Sequence, residues 1–204
     1  IELVVLTHPD KDHLAGLIAV IGSPKVTTFR TTKATRSNQS YPALENIVGS
    51  KDVDTIYADD DLSIRLDKIY LDILNPEDSN QEYIEDKDLN NSSIVSVLKF
   101  GNFKALLTGD IDIEGINKLI MEGKIHDVDY LKVPHHGSKN NITSGLLRFS
   151  SPEVAVISVG KNSYGHPNKE VLDLLDKSNI RTLRTDKLGD ILIKVDEKGQ
   201  YYLD

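Results

Sequence analysis

The sequence contains no cysteine in its 204 residues. Disulfides and thiolate metal sites are therefore excluded, and any metal must be held by nitrogen and oxygen donors. The same lack fits a reducing, cytoplasmic setting. No run approaches the ~20 apolar residues that a membrane-spanning helix requires. The opening Ile1-Glu2-Leu3-Val4-Val5-Leu6 also lacks the basic flank and the length of a secretory signal, so no membrane segment is expected. Positive charge is short as well. The net charge of −8 would repel a polyanion at long range unless a local basic patch or bridging cations offset it. The chain has no Gly-x-Ser-x-Gly elbow, no Gly-x-x-x-x-Gly-Lys-Ser/Thr phosphate loop and no Gly-x-Gly-x-x-Gly fingerprint. With nucleophilic cysteine and serine schemes set aside, metal-activated water is the economical chemistry.

What the chain does have is the composition of an ordinary globular protein, 39% hydrophobic and 27% charged, enough to bury one core. One domain over residues 1–204 is expected. Leu3 to Leu6 reads as a buried strand, and Asp12 to Ile21 as a helix with Leu14, Leu17, Ile18 and Ile21 on one face. A strand from Lys25 to Arg30, a helix from Pro42 to Val48 and strands at Asp54–Tyr57, Leu62–Leu66 and Ile69–Leu74 follow. Asn75 to Asn91 reads as a long loop. Ile94–Phe100 and Phe103–Leu107 flank Gly101-Asn102, the pattern of a tight hairpin. Further helices are expected at Asp112–Met121, Thr143–Phe149 and Lys169–Lys177. Strands are expected at Asp129–Val133, Val154–Val159, Ile180–Thr185, Asp190–Val195 and Gln200–Leu203. The alternation predicts an α/β layered protein with its chemistry just after strand ends.

Three stretches carry that chemistry. His8, Asp10, Asp12 and His13 fall within six residues at the first strand-to-helix junction, where imidazole and carboxylate together suit divalent ions such as Zn or Mn. The competing interpretation is a solvated loop with Asp12 capping the helix. Asp110, in Thr108-Gly109-Asp110, is ordinary turn chemistry by itself, yet a carboxylate can bridge two cations roughly 3.5–4 Å apart. His135 and His136 follow an apolar strand, and on extended backbone adjacent side chains point apart, so one is expected to be a ligand. The other would then hydrogen-bond around the site or touch substrate. His166, before the Lys169 helix, suits a substrate-facing imidazole, a general acid or a loop residue, and His126 is given no role.

In this order the motifs resemble the metallo-β-lactamase superfamily, whose first signature is His-x-His-x-Asp-His. Here the signature is His8-Pro9-Asp10-Lys11-Asp12-His13, with Asp10 in place of the second histidine. That change, with Leu106-Leu107-Thr108-Gly109-Asp110, Leu131-Lys132-Val133-Pro134-His135-His136-Gly137-Ser138, Gly165-His166-Pro167 and Arg184-Thr185-Asp186, resembles the soluble domain of ComEC-type competence proteins and their free-standing relatives. The resemblance implies an αββα sandwich and two divalent ions, Zn or Mn. His8, Asp10, Asp12 and His13 would be ligands, Asp110 the bridge, and His135 in preference to His136 the remaining ligand. Asp12 could also hold the attacking hydroxide. Asn90-Asn91-Ser92-Ser93 occupies the stretch where the superfamily places a middle histidine. ComEC-like domains begin with two strands not present here, so the first sheet is expected to be N-terminally incomplete.

The function expected is a metal-dependent phosphodiesterase or nuclease acting on nucleic acid or nucleotides, with Asp12 and His166 as catalytic residues. His166 or Lys139 would meet the phosphate, and Lys132, Lys139, Lys161 and Lys169 would supply a local positive field. The alternatives are hydrolysis of an amide, lactone or thioester, and a degenerate binding or regulatory module.

Overall fold

The computed structural model describes residues 1–22, 26–35, 40–51, 53–60, 62–77, 84–85 and 89–203. The first half comprises β1 (Leu3–Val5), α1 (Lys11–Gly22), β2 (Thr28–Thr31), β3 (Ala34–Thr35), α2 (Ser40–Ser50), β4 (Asp54–Tyr57), β5 (Ser63–Leu66), β6 (Ile69–Asn75) and β7 (Ile84–Glu85). The second comprises β8 (Val95–Phe100), β9 (Phe103–Leu107), α3 (Ile113–Met121), β10 (Tyr130–Lys132), α4 (Ser144–Ser150), β11 (Val154–Ile157), α5 (Lys169–Lys177), β12 (Arg181–Arg184), α6 (Thr185–Leu188), β13 (Ile193–Val195) and β14 (Tyr201–Leu203).

Strands β1, β2 and β4 form a parallel sheet in that order. Strand alternation divides its side chains between two faces. Val4 and Phe29, paired in register, pack with Leu14, Ile21, Leu44 and Val48 of α1 and α2, whereas Val5 packs towards Ile73 and Ile94 of the larger sheet. That larger sheet has seven strands in the order β12-β11-β10-β9-β8-β6-β5. Its β9 to β12 half is parallel and its β5, β6 and β8 half antiparallel. Its other face buries Leu106, Leu131, Ala155 and Ile157 against Ile116 and Leu119 of α3, Leu146 of α4 and Val171 and Leu175 of α5. The layers are thus helices, sheet, sheet and helices, the αββα arrangement.

The helices start where the sequence supplies a cap. Asp112 Oδ1 accepts from Glu114 N (2.8 Å) and Gly115 N (3.1 Å) ahead of α3, and Thr143 Oγ1 accepts from Leu146 N (3.0 Å) ahead of α4. Two local expectations need correction. Thr185 opens the short helix α6 rather than ending β12, because its Oγ1 turns to bond Val159 N (2.8 Å) and Val159 O (2.8 Å). The expected Asn75–Asn91 loop contains β7 and a 3-10 turn at Leu89–Ser92, although residues 78–83 and 86–88 lie outside the described set.

Leu131 is fully buried in β10, between Leu106 of β9 and Ala155 of β11. Leu131→Ala should cost about 2–5 kcal/mol in urea unfolding, by lost transfer energy and the cavity left behind. Met121→Ala, at a side chain 88% exposed, should change stability little.

Candidate metal centre

The residues of the centre lie just beyond strand ends or, for Asp12 and His13, in the first turn of the helix that follows one. After β1, Thr7 O accepts from Ile94 N (2.9 Å), tying the small sheet to the large one, and His8 follows. Asp10 O accepts from His13 N and Leu14 N, both at 3.0 Å, which starts α1 and places Asp12 and His13 in its first turn. Asp12 is therefore inside the helix rather than capping it. Asp110 follows β9 by way of Thr108 and Gly109, and the two adjacent histidines follow β10 in a tight turn, Pro134–Gly137.

The Asp110 carboxylate is the hub. Its Oδ2 lies 3.2 Å from His13 Nε2, 3.4 Å from His136 Nε2, and 3.9 Å from both His8 Nε2 and His135 Nε2. His13 and His136 face each other at 3.3 Å through their Nε2 atoms, and His136 Nε2 lies 3.2 Å from Asp12 Oδ2. Two groups of donors could each hold an ion: His8, His13 and Asp110, and Asp12, His13 and His136. Asp10 stands at the rim, its Oδ2 4.0 Å from His8 Nε2.

The adjacent histidines both turn towards Asp110, contrary to the expectation for extended backbone. Their φ angles of +45° and +54° are left-handed, so strand alternation does not apply. His136 is the better placed. Its Nδ1 lies 2.7 Å from the Ser158 carbonyl, which requires a proton on Nδ1 and directs Nε2 towards the hub. His135 presents Nδ1 to the Asn90 amide at 3.5 Å and sits farther from the centre, against the order implied by the family resemblance.

The donor chemistry fits divalent cations held by nitrogen and oxygen. Among the described residues, the buried atoms His8 Nε2 and Asp110 Oδ1 have no hydrogen-bond partner, an uncommon state that coordination would relieve. Burial, then the nearby His13, pushes His8 down to about 4, so its imidazole is neutral and donor-ready at neutral pH. Burial alone would raise Asp110, but hydrogen bonding to His13 and the charge of Lys132 hold it well below the usual carboxylate range. The hydrogen bond from His136 is the main reason Asp12 is lowered to about 2, and the same bond raises His136.

No protein-family model matches the chain. ComE operon protein 3 of Bacillus subtilis (strain 168) is 31% identical over 194 residues, covering 94% of this chain and 24% of that protein. Competence protein ComA of Neisseria gonorrhoeae is 35% identical over 105 residues, 50% of this chain and 15% of that protein. The chain thus spans about a quarter or less of these relatives. Among solved structures, the metallo-β-lactamase fold protein YhfI from Bacillus subtilis superposes with a TM-score of 0.56 at 10% identity, over 100% of this chain and 78% of that one. Igni18, a metallo hydrolase from Ignicoccus hospitalis, gives 0.57 at 15%, over 100% and 79%. The chain has the metallo-β-lactamase fold. In sequence it resembles ComEC-type competence proteins. CmlA, a diiron β-hydroxylase from Streptomyces venezuelae, also superposes, with a TM-score of 0.54 at 11% identity over 89% of this chain and 43% of that one. The metallo-β-lactamase fold by itself therefore does not choose the reaction.

Around the centre of this metallo-β-lactamase fold, the structure adds supporting residues that are not among the expected ligands. Ser93 Oγ accepts from Asp110 N (3.0 Å) and lies 3.4 Å from His8 Nδ1, so the stretch lacking a middle histidine still braces the site. Thr7 Oγ1 lies 3.1 Å from His8 Nδ1 and 3.4 Å from His13 Nδ1. Asn141 Nδ2 donates to the carbonyls of Asp110 and Ile111, each at 3.0 Å. Lys132, only 20% exposed, donates to Gly109 O (3.1 Å) and lies 3.8 Å from Asp110 Oδ1. Its positive charge is directed at the hub, and Lys132 is not among the residues that line the cleft. Lys169 is likewise engaged with Asp173 at 2.5 Å. Of the four lysines expected to form a basic field, Lys161 lines the cleft beside the centre, a space of about 500 Å³ shared with Asp12, His136 and His166.

Gly109 sets how closely these loops approach. With φ at +54°, a Cβ there would stand 2.7 Å from Ser93 Cβ and 3.3 Å from Thr7 Cβ. Gly109→Ala should push the Thr7, Ser93 and Asp110 segments apart and lower metal affinity by about tenfold or more. Titration calorimetry with Mn or Zn would check this, and wild-type affinity would show that the three segments tolerate separation.

Proposed function

We propose that the chain is a metal-dependent phosphodiesterase acting on nucleic acid or nucleotides. The observation that carries this is the convergence of His8, His13 and His136 on the buried Asp110 carboxylate, with Asp12 alongside, at one wall of an open cleft. The relatedness to competence proteins favours a nucleic-acid substrate over an amide, lactone or thioester. When bound, two divalent cations, Zn or Mn, would supply Lewis acidity and offset phosphate charge.

The chain's own residues would divide the remaining work. Asp12, 64% exposed and ionised at neutral pH, reaches into the cleft and can accept a proton from an attacking water. His136 fixes that carboxylate at 3.2 Å and is itself fixed by the Ser158 carbonyl. His166 lines the same cleft, its ring 5.7 Å from that of His135, where it can donate a hydrogen bond to a phosphate oxygen or the leaving group. Burial, followed by the charges of His135 and His136, lowers the pKa of His166. Gly137 permits this closeness, because a Cβ there would fall 2.6 Å from Pro167 Cβ.

The test is metal analysis and cleavage of single- and double-stranded DNA, RNA and cyclic nucleotides by protein reconstituted with Mn or Zn. Asp110→Ala should lose metal and lower cleavage by about 100-fold or more. Fewer than one ion per wild-type chain would favour a binding module, and metal without phosphodiester cleavage would point to another hydrolytic substrate.

The two adjacent histidines give a separate expectation. His136→Ala should lower metal stoichiometry, whereas His135→Ala should retain metal and chiefly lower turnover. The opposite pattern would assign the ligand role to His135.

A further inference from the structure

We propose that Tyr164 is a stacking platform for an unpaired nucleobase, so that the cleft selects single-stranded over duplex nucleic acid. The substrate class depends on the phosphodiesterase assignment, while the platform consists of residues outside the metal centre.

Tyr164 is 80% exposed and lines the same cleft as Asp12, His136 and His166. Set in the wall of a cleft, that ring offers apolar surface which a stacked partner would bury. The ring is also oriented. It lies nearly parallel to the His166 ring, at 20° with centroids 5.9 Å apart, and His166 in turn meets the ring of His135. One end of this row of rings abuts the metal centre, and the other is open to solvent.

A single side chain organises the loop beneath. Asn162 Oδ1 accepts from Tyr164 N (3.1 Å) and His166 N (3.0 Å), while its Nδ2 donates to Gly160 O (3.0 Å) and His166 O (2.8 Å). Asn168 adds a bond from Nδ2 to Gly165 O (3.1 Å) and accepts from Lys139 N (2.9 Å). With the loop backbone fixed before binding, stacking a base has only the tyrosine side chain left to order.

Charge and shape point the same way. Lys161, exposed on this loop, offers a cation to the backbone phosphate next to a stacked base, in a chain of net charge −8. In a duplex both faces of a base are covered by its neighbours, so only an unpaired or extruded base can lie on the tyrosine. Aromatic platforms accept any base, so the preference would be for strandedness rather than for sequence.

The experiment uses metal-reconstituted protein and a single-stranded, cleavage-resistant phosphorothioate oligonucleotide carrying 2-aminopurine. Wild type should quench its fluorescence and bind it more tightly than the matching duplex. Tyr164→Ala should remove the quenching and weaken binding about tenfold, and Tyr164→Phe should preserve both. An oligonucleotide abasic at that position should bind wild type and Tyr164→Ala equally. Unchanged quenching and affinity in Tyr164→Ala, or equal affinity of wild type for single strand and duplex, would overturn the platform. Cleavage of the ordinary phosphodiester oligonucleotide is read separately. Its absence beside intact quenching would remove the proposed activity and leave the stacking site standing.

Discussion

A buried carboxylate has to be compensated, and Asp110 is the group on which the rest of the centre depends. An ionised carboxylate away from water is costly unless charges and hydrogen bonds surround it. Here Lys132 approaches one oxygen, four imidazoles approach the other, and Ser93 and Asn141 hold the backbone on either side of the carboxylate. The compensation within the chain remains incomplete at Asp110 Oδ1 and His8 Nε2. A site left short of positive charge in this way is primed for cations.

The layered fold brings these donors together because each lies at a strand's carboxyl end or, like His13, in the helix turn that follows it. Strands β9, β10 and β11 run parallel, so Asp110, the adjacent histidines and Ser158 emerge on one edge of the large sheet. The small sheet contributes His8 and His13 from its own parallel end, and the Ile94–Thr7 hydrogen bond aligns the two edges. The open cleft then continues along the loop of Asn162 and Tyr164, where rigid backbone and exposed aromatic surface replace metal-ligating chemistry. On the proposed function, chemistry and substrate recognition would occupy adjoining parts of one edge.

Much of this was legible in the residues. Apolar periodicity located most of the principal helices and strands, since burying one face of a helix or strand dictates the spacing of its apolar residues. The helix Lys169–Lys177 and the hairpin at Gly101-Asn102 stand where expected. Histidine and aspartate clustering after strands identified His8, Asp10, Asp12, His13, Asp110, His135, His136 and His166 as candidates. Ser93, Thr7, Asn141 and Asn162 were not legible, because serine, threonine and asparagine are common loop residues and carry no spacing signal.

By itself, then, the sequence determined the α/β class and the chemical types available to the site, because both follow from local pattern and side-chain identity. Only the tertiary structure decided how those groups divide the work. It turned both adjacent histidines inward through left-handed backbone, placed His136 closer to the hub than His135, left Asp10 at the rim and drew Lys132 in as a counter-charge. The reason is physical: distance, burial and orientation arise from contacts between segments as much as 123 residues apart, as between His13 and His136, and no local pattern encodes them.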